Sequence, residues 1–278
     1  MTSSATTLPG LRSLRVEIHA GVAEVQLIGP SKGNAMGPDF WTELPEVFDA
    51  LSTNDDVRSV LLYGSGGNFS YGLDLPAMAP VFAPLLGAGG MDARLREVFR
   101  RQIRALQDAV SSLARCAKPV IAAVDGWCIG GAIDVIAAAD IRISSPAARF
   151  SVREVKVAIV ADLGSLQRLP AIIGEGATRQ LALTGEDFDA ARARELGLVT
   201  EVADDVVARG RELAAQVAAN PPLVVQGVKQ VMNRRTQNSV QDGLDYVQVW
   251  NSAFLASHDF GEATAAFAER RQPVFRGE

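Results

Sequence analysis

A chain of 278 residues, 48% hydrophobic and 21% charged, can bury a sizeable core as one large domain or two small ones. A net charge of −5 argues against a general nucleic-acid binder, and no apolar run reaches membrane-spanning length. With only His19 and His258, one near each end, and only Cys116 and Cys128, the chain offers no His-dependent triad, no zinc spacing and no disulfide framework.

Met1 to Gly10 is a polar Ser/Thr tail without the charged and apolar regions of a secretory signal, and Phe275 to Glu278 carries no peroxisomal address. The expected compartment is a reducing cytosol. Leu14 to His19 and Val22 to Ile28 alternate apolar and polar around Ala20-Gly21, which predicts a hairpin. Pro30 to Met36 reads as a loop, and Pro38 to Ala50 as a helix. Val57 to Tyr63 is a strand that ends at Gly64-Ser65-Gly66-Gly67. Asn68 to Leu75 follows as a glycine-bearing segment able to present a backbone N–H, and Asp74 in it reads as a cap or turn residue. Pro76 to Gly90 is punctuated by proline and glycine. Its Met78, Val81, Phe82, Leu85 and Leu86 suit a pocket lining, a surface loop or a subunit contact, and Gly87-Ala88-Gly89-Gly90 reads as mobile. Asp92 to Cys116 is an amphipathic helix whose Arg94, Arg96, Arg100, Arg101 and Arg104 read as a solvated face.

The central stretch, Lys118 to Pro170, is the most informative. Val120 to Val124 is a short β-branched run fit for a buried strand, Gly130-Gly131 a turn, and Ala132 to Ala139 a helix with one polar intruder, Asp134. Strand, glycine turn and helix in that order deliver free N–H groups to an anion or a developing oxyanion. Short strands are predicted at Asp140 to Ile143 and Ala148 to Phe150. Asp134, Glu154 and Asp162 lie where an apolar core disfavours charge. Taken singly, Asp162 fits an N-cap for a helix starting at Leu163, and Glu154 a solvated turn residue or a salt-bridge partner of Arg153. Taken together beside a glycine-built helix start, they point to proton transfer by carboxylates with raised pKa values.

Beyond Pro170, Ala177 to Leu183 and Phe188 to Gly197 read as helices and Leu198 to Val202 as a strand. Repeated strand–turn–helix units up to residue 203 favour an α/β class with parallel pairing. From Asp204 the pattern is all helical: Val206 to Ala219, Leu223 to Thr236, Ser239 to Ser257 and Phe260 to Glu269. The change of period divides the chain into an α/β core, residues 1–203, and a helical segment, residues 204–278, that carries more apolar residues than a lone sheath needs.

The run KPVIAAVDGWCIGG and the later RLP-AIIG resemble the signature of the crotonase (enoyl-CoA hydratase/isomerase) superfamily. CIGGAIDVIAAADIR followed by FSVREVKVAIVADLGSLQRLP is most similar to its Δ3,5-Δ2,4-dienoyl-CoA isomerases, which carry Asp, Glu and Asp at the places of Asp134, Glu154 and Asp162. The resemblance implies a spiral of ββα turns with a C-terminal helical segment that builds homotrimers or homohexamers. The implied function is isomerisation of 3,5-dienoyl-CoA to 2,4-dienoyl-CoA in fatty-acid β-oxidation. Glu154 would serve C2, Asp162 the distal proton, and Asp134 would tune the pocket. The amides of Leu73 and Gly131 would form the oxyanion hole. Lys32, Tyr71, Asp74, Met78 and Ala132 would contact substrate, with Arg270 and Arg271 near the CoA phosphates or in a solvated tail. The acyl-CoA is substrate, and no cofactor or metal is implied. Ala132 departs from the family, which commonly has a third glycine there. The alternatives are a 2-enoyl-CoA hydratase working through Asp134 and Glu154 on a water, and a non-catalytic acyl-CoA-binding homologue.

Overall fold

The computed structural model describes residues 6–7, 10–83 and 92–278. Most of the N-terminal tail, Leu85, Leu86 and the Gly87 to Gly90 run, for which mobility was expected, lie outside the described residues. In chain order the first elements are β1 (Thr6–Thr7), β2 (Leu14–His19), β3 (Val22–Leu27), α1 (Pro38–Thr53), β4 (Ser59–Gly64), α2 (Leu75–Phe82) and α3 (Ala93–Arg115). The middle of the chain forms β5 (Val120–Val124), β6 (Trp127–Ile129), α4 (Gly131–Ala137), β7 (Ile141–Ser144) and β8 (Arg149–Ser151). It continues through α5 (Ser165–Ile173), α6 (Glu175–Thr184), β9 (Phe188–Asp189), α7 (Ala190–Leu196) and β10 (Glu201–Val202). The last four helices are α8 (Val206–Ala218), α9 (Pro222–Arg234), α10 (Gln237–Phe254) and α11 (His258–Glu269).

Seven strands form one sheet in the order β1-β2-β3-β4-β5-β7-β10, antiparallel through β3 and parallel from β3 onward. The parallel half needs crossovers, and α1, α3 and α4 supply them. Alternation sorts the two faces. Val60, Leu62, Val120, Ala122 and Val124 face the larger core with Leu44, Phe48 and Leu113. Leu61, Ile121, Ala123 and Ile143 face the other way, where α8 covers them with Val206, Ala214 and Ala218. A methyl at Gly210 of α8 would sit 2.6 Å from Leu61 Cδ1, so the missing side chain sets how closely that helix lies on the sheet. The first helix of the C-terminal run thus belongs to the packing of the sheet.

Three elements differ from the sequence expectation. The segment after Pro76 begins inside a short helix, α2, rather than a loop, because Asp74 caps it: its Oδ1 accepts the Ala77 N–H at 3.0 Å. The expected helix from Phe188 begins as a strand. Phe188 and Asp189 pair with β8 in a second, three-stranded sheet, β6-β8-β9, before Asp189 caps α7. The arginines of α3 are not all solvated. Arg104 pairs with Asp245 at 2.7 Å, Arg100 donates to Gln248 at 3.2 Å, and Arg96 donates to the Ser252 carbonyl at 3.1 Å. These contacts lock α10 along α3.

A buried cation ties α9 to the core. Lys229 Nζ donates to the carbonyls of Leu113 and Lys118 at 3.0 and 3.1 Å and to Asp140 at 2.7 Å. Removing one partner of a buried ion pair typically costs about 3–5 kcal/mol. Lys229→Met should therefore lower the urea midpoint by an equivalent of about 3 kcal/mol with little change in m value, read by circular dichroism.

Candidate active site

Two backbone turns meet at the C-terminal end of β5 and β6. Asn34 fixes the first, donating Nδ2–H to the carbonyls of Ser65 and Asn68 at 2.9 and 2.8 Å. The chain then pairs Ser70 with Cys128 and Met36 with Leu73 in isolated parallel bridges. The second bridge uses the Gly72 carbonyl and the Asp74 N–H, at 2.8 and 3.1 Å from Met36, so the Leu73 N–H faces away from that partner. Gly131 opens α4, where an N–H has no intrahelical acceptor. Neither amide finds an acceptor among the described residues. Gly72 brings the turns together: φ is +79°, and a Cβ there would lie 2.4 Å from the Ile129 oxygen and 3.3 Å from the Gly131 nitrogen.

Glu154 lies against the turn at Gly130, and Asp134 and Asp162 are close enough for their charges to act on its carboxyl. Glu154 opens a 3-10 turn, Glu154–Val157, and its Oε1 would lie 3.4 Å from a methyl on Gly130. The residue keeps some solvent exposure, yet its Oε2 is buried and without a hydrogen-bond partner among the described residues. Asp134 is buried on α4; its Oδ1 accepts the Ser165 N–H at the start of α5, and its Oδ2 is buried and unpartnered. Asp162 stands in the loop before α5 and accepts from Asn251 Nδ2 at 2.7 Å.

Burial pushes all three carboxyls up. Glu154 rises to about 8, from desolvation first and then the neighbouring charges of Asp134 and Asp162. Asp162 rises to about 7 by desolvation, against the pull of the Asn251 hydrogen bond. Asp134 rises to about 6 by desolvation, held back by the Ser165 amide and by the charge of Arg168. That arginine is itself buried and fits only because Gly164, at φ +129°, has no side chain: a Cβ would fall 1.7 Å from its Nη1.

The simpler readings of single acids do not survive. Arg153 pairs with Asp187, not with Glu154. Gly164, not Asp162, is the N-cap residue of α5, and the capping oxygen comes from Asp134 on another helix. Asp74 also serves the fold, as the cap-residue reading expected. Ser31 Oγ donates to its Oδ2 and the Ala77 N–H to its Oδ1, so both oxygens are engaged within the protein. Lys32 is exposed in the turn Lys32–Asn34, and the Tyr71 ring lies over Gly33. Met78 and Ala132 are buried in the larger core. Arg270 is exposed at the end of α11, and Arg271 pairs with Glu262 and Glu269. Sequence reasoning missed Gln107, Asn251 and Arg168. The signal that exposed Asp134, a polar residue on an apolar helical stripe, was also present at Gln107 beside Ile103, Leu106 and Val110, and at Asn251 beside Val247 and Phe254.

Unpaired amides near acids of raised pKa, on a sheet wound with crossover helices, form an arrangement able to stabilise an oxyanion and move protons. Residues 17–278 match the family model described as enoyl-CoA hydratase/isomerase. The chain belongs to the enoyl-CoA hydratase/isomerase family. It is 40% identical to a mitochondrial Delta(3,5)-Delta(2,4)-dienoyl-CoA isomerase of Dictyostelium discoideum, over 92% of this chain and 87% of that protein. It is 40% identical to a peroxisomal protein of the same name from Arabidopsis thaliana, over 95% and 96%. Among solved structures, an enoyl-CoA hydratase/isomerase from Pseudoalteromonas atlantica T6c superposes with TM-score 0.82 at 28% identity, covering 95% of this chain and 100% of that one. The expectation of a cytosolic compartment is overturned by these relatives, which are named mitochondrial or peroxisomal. Cys116 and Cys128 are both buried and unpaired, which does not single out the cytosol.

The raised carboxyls make native stability depend on pH. Unfolded, they ionise near their ordinary values of 3.8 and 4.5; folded, they hold protons to about 6, 7 and 8. Below pH 3.8 both states bind the protons; between pH 3.8 and about 8 the unfolded state releases them first, so stability falls as pH rises. Urea unfolding should give a lower stability at about pH 8 than at about pH 5. Glu154→Gln should be flatter across that window and more stable than the parent at its alkaline end by about 2 kcal/mol or more.

Proposed function

We propose that this chain isomerises 3,5-dienoyl-CoA to 2,4-dienoyl-CoA in fatty-acid β-oxidation. The dienoyl-CoA isomerases of Dictyostelium and Arabidopsis named above, both 40% identical to this chain, support the activity. In the structure, the observation that supports the reading is a second acid, Asp162, held at 2.7 Å by the buried Asn251 amide and close enough to Glu154 for its charge to act on that carboxyl.

In the proposed mechanism the thioester oxygen sits between the Leu73 and Gly131 amides. Glu154, which adjoins Gly130, is assigned to the carbon next to that thioester, C2. A proton leaves C2, and the electron pair spreads through the diene onto the thioester oxygen as a dienolate. A proton returns at C6, and the double bonds come to rest at C2 and C4. Losing one oxyanion donor typically raises such a barrier by about 2.7–4 kcal/mol. Asp162 is the acid at the far end, and Asp134 a buried charge that keeps the other two from ionising together. Both proton carriers are raised toward neutrality, so each can take up or release a proton in the working pH range. No electrons enter or leave, so the step balances without a redox cofactor.

Large apolar side chains stay open on α9 and α10: Leu223 is 81% exposed, Val231 74%, Tyr246 67% and Phe254 62%. Faces of this size suit burial between subunits. The proposed assembly is a homotrimer or homohexamer, for which sedimentation should give three or six times 29.5 kDa.

The decisive assay follows 3,5-dienoyl-CoA conversion spectrophotometrically beside 2-enoyl-CoA hydration. The parent should isomerise, and Asp162→Asn should lose roughly 10²–10⁴-fold of that rate. Fast hydration without isomerisation would assign the chain as a hydratase. Acyl-CoA binding with neither activity would make it a non-catalytic homologue.

A further inference from the structure

Asp162 is the acid that separates isomerisation from hydration in this reading, and it stands in a loop, so something else must aim it. Two carboxamides do. Gln107 on α3 donates Nε2–H to the Asp162 carbonyl at 2.8 Å and to the Leu244 carbonyl at 3.1 Å. Asn251 on α10 donates Nδ2–H to Asp162 Oδ2 at 2.7 Å and to the Val160 carbonyl at 2.9 Å. Each amide nitrogen meets two acceptors, so neither group can be turned around without losing both bonds. Gln107 and Asn251 are both buried, and among the described residues no other side chain donates to the Asp162 carboxyl. The contacts of Arg100 with Gln248 and of Arg104 with Asp245 fix α10 along α3, and so fix where Asn251 points.

We propose that Asn251 is a positioning residue for proton transfer at the distal end of the diene: it grips one oxygen of Asp162 and leaves the other for the substrate. The inference rests on the isomerase reading given above. A neutral amide suits the task better than a cation. A lysine or arginine in its place would hold Asp162 ionised through the neutral range and disable it as a proton donor. The charged groups facing Asp162 are the carboxyls of Asp134 and Glu154, which favour its neutral form, and Asn251 opposes them without adding charge.

Asn251→Leu keeps the volume and removes the donor; Asn251→Ala removes both. Each is assayed for isomerisation of 3,5-dienoyl-CoA, and for deuterium uptake at C2 from heavy water, which reads Glu154 and the amide pair alone. Isomerisation kcat should fall roughly tenfold to a hundredfold, the range of a lost hydrogen bond to a charged group, with KM nearly unchanged. C2 exchange should persist, and the limb of the pH profile set by Asp162 should move to higher pH. In an Asp162→Asn background, adding Asn251→Leu should leave C2 exchange unaltered. Parallel loss of C2 exchange and isomerisation, no loss of either, or unfolding of both variants would overturn the inference. A parent without isomerase activity would instead remove the functional reading beneath it.

Discussion

The site depends on holding three carboxyl groups close together with little access to water, Asp134 fully buried and Glu154 and Asp162 partly so. Ionising any one of them leaves a charge with few donors in an apolar setting, and ionising a second adds repulsion. Protons are therefore retained into the neutral range, where an ordinary surface carboxyl has long lost its own. Much of the surrounding architecture maintains that arrangement. α4 carries Asp134 inside the core, α3 and α10 close over Asp162, and the turn at Glu154 presses its carboxyl toward Gly130. Each acid retains a limited set of partners: one amide for Asp134, one carboxamide for Asp162, and an unpartnered Oε2 for Glu154. Fuller satisfaction would stabilise the fold and return the acids to their ordinary pKa values.

Much of this was legible in the residues. β-branched runs placed β5 and the hairpin within a residue of their observed ends, and amphipathic spacing placed α3 and the C-terminal helices. Acids in apolar surroundings marked the site. What stayed hidden was tertiary. The cap of α5 is an oxygen from another helix, which no local pattern encodes. β9 is a strand only because Phe188 stacks on Phe150 across two paired chains, with ring centroids 5.4 Å apart. The arginines of α3 looked solvated because their partners lie some 140 to 160 residues further on. Asn251 and Gln107 looked like ordinary polar residues because a carboxamide, unlike a carboxylate, carries no charge to make its burial conspicuous.

The C-terminal helices also serve the interior. α8 completes the sheet, and α9 is anchored by Lys229 through contacts to oxygens beside α3 and β5. α10 reaches the reactive centre through one amide while presenting Tyr246, Trp250 and Phe254 outward. A single helix thus joins an exposed apolar face to the orientation of an acid, so a shift of its register would be felt at both.

The near contact between Gly72 and the Ile129–Gly131 turn has a bearing on how such enzymes diversify. The Leu73 and Gly131 amides proposed as oxyanion donors are main-chain groups, and their separation is set where two glycine-bearing turns touch. Short of a proline, no exchange of one side chain removes either N–H, whereas a single base change can remove an acid. A scaffold of this kind would keep its pair of free amides through most substitutions, while the acids around it could be lost or moved one at a time.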